Sequence, residues 1–243
     1  MKVSASRLYH ALYAFRILSS KTVSTMGKNI NREEDLKKLF NKSINDIVEL
    51  HVGNDKDYFN ALSAEQFVNL KKALSNINNI ITLKTTLAFV DKLAASGLIE
   101  KDIVGQIKAN INSQSANANG FDILWEDGDF PFVAEVKCNI PVETNKFGPA
   151  QLEGIYKDII NLMKGKAKAK VDVTGLYKFM VFLDCDKIEA AINNLKDNRP
   201  TKCIQNNVDD ASLESIWHNL VVFDWNKIPV LKKEAVYICK ISI

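Results

Sequence analysis

Cysteine is scarce in this chain: 243 residues contain four, Cys138, Cys185, Cys203 and Cys239. None stands in the close pairs of zinc motifs. Their wide separation points to free thiols in a reducing compartment rather than a disulfide scaffold. Histidine is scarcer still. His10, His51 and His218 fall in different segments and form no metal-ligand spacing. Long apolar runs are also missing. Leu8, Leu12, Tyr13, Phe15, Ile17 and Leu18 suggest an export signal, but Arg7, His10 and Arg16 interrupt them. No segment reaches the length of a membrane span, and a cytoplasmic protein is the expectation. Neither sign of charge dominates. Thirty-two Lys and Arg against 29 Asp and Glu leave a formal charge of +3, so affinity for a polyanion must come from local arrangement.

What is present is an ordinary globular composition, 47% hydrophobic and 25% charged, in a chain long enough to bury a core without disulfides or a structural metal. Residues 1–111 read as mainly helical. Leu36, Leu39, Phe40, Ile44, Ile47 and Val48 recur at helical spacing. Ser63 and Gln66 have the spacing of a capping box ahead of Phe67, Leu70 and Leu74. Leu83, Leu87, Val90 and Leu93 continue the stripe to Gly97, which is placed to end a helix. Helix packing accounts for these stripes, and DNA recognition or dimerisation is the further role open to the region. The small polar segment from Asn112 to Gly120 marks a boundary.

From Phe121 the period becomes that of a strand. Phe121–Trp125 and Phe132–Ile140 flank Asp127-Gly128, a strong hairpin turn signal, and predict two paired strands. Glu126, Asp127 and Asp129 form a solvated hairpin tip, since their spacing is not that of a calcium loop. A helix is predicted over 150–163, a central strand over 176–185, a helix over 187–197, and strands over 220–225 and 235–243. The three tryptophans, Trp125, Trp217 and Trp225, lie in or beside apolar runs and read as core. This order predicts an α/β core over 112–243, with a mixed sheet and helices against its faces.

Chemistry concentrates on the second strand of the hairpin. With a period of two, Phe132, Ala134, Val136, Cys138 and Ile140 share one apolar face, while Val133, Glu135, Lys137 and Asn139 share the other. The neighbouring strand carries Asp122, which strand pairing would bring toward Glu135. Two converging carboxylates repel unless a cation lies between them, and magnesium, held by one or two carboxylates with water and phosphate, suits such a pair. Lys137 adds a positive charge that can orient or help deprotonate an attacking water and offset charge on phosphoryl oxygens.

Gly120-Phe121-Asp122 followed by Glu135-Val136-Lys137 resembles the signature of the PD-(D/E)xK nuclease superfamily, which includes type II restriction endonucleases, Holliday-junction resolvases and repair exonucleases. The resemblance covers about residues 120–185. It implies a restriction-endonuclease-like core with a mixed four- or five-stranded sheet flanked by helices, with a cation held by Asp122, Glu135 and the backbone carbonyl of Val136, and with Lys137 beside the nucleophile. Some branches of the family carry a glutamine on the next helix, and Gln151 stands there, expected to position water or phosphate. The tyrosine that often follows four residues later is replaced by Ile155, with Tyr156 one position further on. Some members also place a glutamate upstream, for which Glu100 is the nearest candidate.

Basic residues should border such a site. Lys146, Lys157, Lys164, Lys166, Lys168 and Lys170 follow it, and 164–170 is the densest basic run in the chain. Such lysines grip phosphates without reading sequence. The loop 141–149 or the helical N-terminal region is left for base recognition. The expected protein is a magnesium-dependent DNA endonuclease of the restriction type. It would act on double-stranded DNA as a homodimer, because palindromic sites share the dimer's two-fold symmetry, and would need no nucleotide cofactor. A resolvase or repair nuclease is the alternative within the class. Outside it stands a catalytically inactive DNA-binding or structural protein with a nuclease-like core.

Overall fold

The computed structural model describes residues 41, 57–113, 120–142, 144–166, 169–198, 200 and 209–243. The helix expected over 36–50 falls outside the described residues apart from residue 41, as do His10, His51, Cys203 and Lys168.

The chain divides into two units, Met1–Asn79 and Ile80–Ile243. In the first, a short helix α1 (Tyr58–Ala61) precedes the start of a long helix α2 (Ala64–Ala95). The Ser63–Gln66 capping box is formed. Ser63 N–H donates to Gln66 Oε1 at 2.8 Å, and Gln66 N–H donates to Ser63 Oγ at 3.3 Å.

The second unit begins within α2, so residues 80–111, grouped by their helical periodicity with the N-terminal region, fall in the unit that holds the sheet. Gly97, at φ 76°, ends α2 by letting Leu98 N–H reach Leu93 O and Gly97 N–H reach Ala94 O. Helix α3 (Val104–Ser113) follows, and then β1 (Ile123–Trp125), β2 (Phe132–Lys137), α4 (Pro149–Lys164), β3 (Tyr177–Leu183), α5 (Ile188–Asp197), α6 (Asp210–His218), β4 (Leu220–Val222) and β5 (Val236–Ile241). These strands form one mixed five-stranded sheet in the order β1-β2-β3-β5-β4. Strand β1 runs antiparallel to β2 through the hairpin at Gly128, and the other neighbours pair in parallel. A parallel return needs a long crossover, which α4 supplies between β2 and β3.

Both faces of the sheet are covered, as parallel strands require. On one face Phe132, Ala134, Val136, Phe179, Val181 and Tyr237 pack against Phe89, Val90 and Leu93 of α2 and Ile107 of α3. On the other, Val133, Met180, Phe182, Val236 and Ile238 pack against the apolar stripes of α4, α5 and α6. The alternation read along 132–138 is therefore observed, with Glu135 and Lys137 on the face covered by α4. Trp125 and Trp217 are buried, and Trp225 is partly so, donating from Nε1 to Lys240 O at 3.1 Å.

Helix α6 was not anticipated from the sequence. Its signals are Asp209, whose carboxylate accepts from Ser212 N–H at 2.8 Å, and the stripe Leu213, Ile216, Trp217. Lys178 is a buried interruption in the apolar strand β3. Its ammonium donates to Leu176 O at 2.9 Å and Lys233 O at 2.5 Å, and burial lowers its pKa. Among the described residues no helix is long and apolar enough to cross a membrane.

Phe179 lies at the centre of the aromatic cluster, against Phe89, Phe132, Phe223 and Tyr237. Phe179→Ala is expected to cost about 3–5 kcal/mol of unfolding free energy in a urea titration. Val230→Ser, at a side chain 89% exposed, should change it by no more than about 0.5 kcal/mol. Equal effects would contradict this account of the core.

Candidate active site

Glu135 and Lys137 sit at the C-terminal end of β2, beside β3 in parallel register, with Glu135 next to Met180 and Lys137 next to Phe182. Binding sites in open α/β sheets collect at the carboxyl ends of parallel strands. The β1–β2 register pairs Ile123 with Ala134, and one further step sets Asp122 opposite Glu135. Strand β1 stops short of Asp122. The chain turns there at Gly120, whose φ of 81° is one that L side chains rarely adopt. Asp122 Oδ2 then accepts from Val136 N–H at 2.7 Å, satisfying a donor on β2 that β1 no longer reaches.

Helix α4 lies over this corner and brings a third acid, Asp158. Its Oδ2 makes a close ion pair with Lys137 Nζ, and its Oδ1 is 3.8 Å from Lys166 Nζ. Lys166 Nζ lies 2.5 Å from Glu135 Oε1 and 4.9 Å from the centre of the Phe121 ring. That carboxylate oxygen is buried, with the Lys166 ammonium directly against it. Three carboxylates thus face two ammonium groups, leaving one negative charge in excess.

The surplus shows in the proton affinities. Burial pushes the Glu135 carboxyl up to about 8, helped by the charges of Asp122 and Asp158 and opposed by Lys166. Burial likewise raises Asp122, against the Val136 N–H bond and the two lysines. Burial pulls Lys137 down, but Asp158, Glu135 and Asp122 outweigh it and hold the ammonium above its ordinary value.

The structure therefore brings Asp122, Glu135 and Lys137 together, and adds Asp158 and Lys166. Gln151 lies at the start of α4 with its amide engaged. Oε1 accepts from Gly148 N–H at 2.9 Å and Nε2 donates to Ile140 O at 3.3 Å, tying the end of the loop after β2 to the helix. The lysines expected to grip phosphate separate into two groups. Lys146, Lys164 and Lys170 are exposed, as is Lys157, which pairs with Glu153 at 2.7 Å. Lys166 instead turns inward, with only 17% of its side chain accessible. Glu100 is exposed in the turn between α2 and α3, helices that pack on the opposite face of the sheet. Asp158 was missed although a signal existed. It lies seven residues after Gln151, two turns along the same stripe of α4.

Among the described residues no three His, Cys, Asp or Glu side chains stand close enough to hold a metal together. Two carboxylates and a backbone carbonyl suit magnesium, which keeps several of its waters. Glu135 Oε1, buried against Lys166 Nζ, is an oxygen to which such an ion could bind if that ammonium moved aside, and Asp122 and Glu135 are two carboxylates of the kind magnesium takes. Compared with known proteins, the chain matches no family model, no curated protein and no solved structure.

Protonated Glu135 gives the site a pH signature. Its folded-state value of about 8 stands above the ordinary 4.5, so the associated stability is full below pH 4.5 and is lost as pH rises through 8. In EDTA, the urea midpoint of the wild type should fall relative to Glu135→Gln between about pH 5 and 9, the window those two values bracket. Parallel profiles for the two proteins would contradict the buried, raised carboxyl.

Proposed function

We propose that the chain is a magnesium-dependent endonuclease that hydrolyses DNA phosphodiester bonds, built on a restriction-endonuclease-like core. The observation that carries this reading is that Asp122, held by Val136 N–H, lies within electrostatic reach of Glu135, with Lys137 two residues further along β2. Asp122, Glu135 and the carbonyl of Val136 would hold the ion, which supplies Lewis-acid stabilisation of charge at phosphorus.

The chain's own residues do the rest. Val136 N–H orients the Asp122 carboxylate, fixing one oxygen and leaving Oδ1 without a hydrogen bond among the described residues. Lys137, held as an ammonium, opposes negative charge developing on the phosphoryl oxygens. Gln151 supports the site from behind, by fixing the loop end at Ile140 and Gly148 to α4. The exposed lysines Lys146, Lys164 and Lys170 are available to meet the DNA backbone. Double-stranded DNA cut at a specific site by a homodimer is the form of the activity we favour, because a two-fold dimer matches a palindromic site.

One observation favours a second reading, a DNA-binding protein that does not cut. Lys166 and Lys137 already neutralise much of the acid cluster, and the Gln151 amide is occupied. Incubation with phage DNA in magnesium or EDTA separates the two. Discrete fragments in magnesium alone are expected, whereas branched-substrate cleavage would indicate a resolvase. Asp122→Asn, which keeps an acceptor for Val136 N–H, and Lys137→Ala should each lower the rate by about 10²-fold or more while remaining folded by circular dichroism. Intact DNA with both magnesium and manganese would favour the non-cutting protein.

A further inference from the structure

We propose that Asp158 is a positioning residue for Lys137: it draws the ammonium toward α4 and so keeps it from closing onto the two strand carboxylates, a role that rests on the nuclease reading above. Lys137 projects from the same face of β2 as Glu135, two residues away. Its other anionic neighbours are Glu135 and Asp122, both within electrostatic reach. A second ammonium on that pair would compete with a divalent ion for the same oxygens, since Lys166 already lies 2.5 Å from Glu135.

Asp158 is built for this task. It is carried by a helix rather than by the hairpin that bears the acids, so its position is set independently of theirs. Its side chain is only 16% accessible, which limits screening by water, and its two oxygens are divided between Lys137 and Lys166. A buried ion pair contributes little net stability against its desolvation, so stability alone is a weak reason for its presence.

The test measures steady-state DNA cleavage by the wild type, Asp158→Asn, Asp158→Glu, Lys137→Ala and the Asp158→Asn/Lys137→Ala double variant. A parallel assay modifies each folded protein with an amine-reactive reagent and maps the labelled lysines by mass spectrometry. Asp158→Asn should lose about tenfold or more in kcat with KM for DNA unchanged, Asp158→Glu should recover most of it, and the double variant should be no slower than Lys137→Ala. In the labelling assay Lys137 should react slowly in the wild type relative to Lys146 and Lys164, and its rate should change several-fold in Asp158→Asn as the ammonium leaves α4. Wild-type cleavage by Asp158→Asn, losses that multiply in the double variant, or unchanged Lys137 labelling would each overturn the positioning role. If the wild type cuts no DNA, the nuclease reading falls and labelling alone decides whether Asp158 positions Lys137: a several-fold change in Asp158→Asn supports it and unchanged labelling overturns it.

Discussion

Burying carboxylates beneath a helix is the constraint on which this site depends. Glu135 lies almost fully enclosed between β2 and α4, where an isolated charge would cost several kcal/mol. The chain meets that cost with cations of its own and with a proton. Lys166 lies against Glu135, Lys137 against Asp158, and burial, helped by the charges of Asp122 and Asp158, raises the Glu135 carboxyl. To hold the proposed ion, Glu135 would first give up its proton, because a ligating carboxylate must be deprotonated.

The sheet makes the arrangement possible by fixing the acids before any ligand arrives. Strands β2, β3 and β5 are apolar on both faces except at their ends, so polar groups are confined to a few places. Lys178 is held by backbone carbonyls near the start of β3, and Glu135 and Lys137 meet α4 at the C-terminal end of β2. The shortness of β1 matters as much. Because it stops at Ile123, Asp122 completes the hydrogen bonding of β2 with its side chain and thereby stands opposite Glu135.

Local periodicity made the scaffold legible in the sequence. Alternation along 132–137 assigned Glu135 and Lys137 to one face, and the stripe Ile155, Tyr156, Ile159 marked α4, because both patterns repeat within one element. The hairpin at Asp127-Gly128 was legible for the same reason. The pairing of Lys166 with Glu135 was not, because it depends on how the chain leaves α4, and Asp158, although spaced two turns from Gln151, gains its partners only where α4 docks. Lys166 belongs to a run of lysines read as phosphate contacts, yet the turn at Gly165, φ 84°, directs it inward; a Cβ there would stand 3.3 Å from Val171 O. Gln151 matched a position in a motif, but the capping chemistry of its own helix engages its amide.

The central claim is that Asp122 and Glu135 share one divalent ion. Anomalous scattering from a crystal of the wild type grown with manganese tests it most directly. The account predicts a single peak at about 2.1–2.3 Å from an oxygen of each carboxylate and from Val136 O, with Lys166 moved off Glu135. A well-ordered site with no peak there and Lys166 still seated on Glu135 would contradict it.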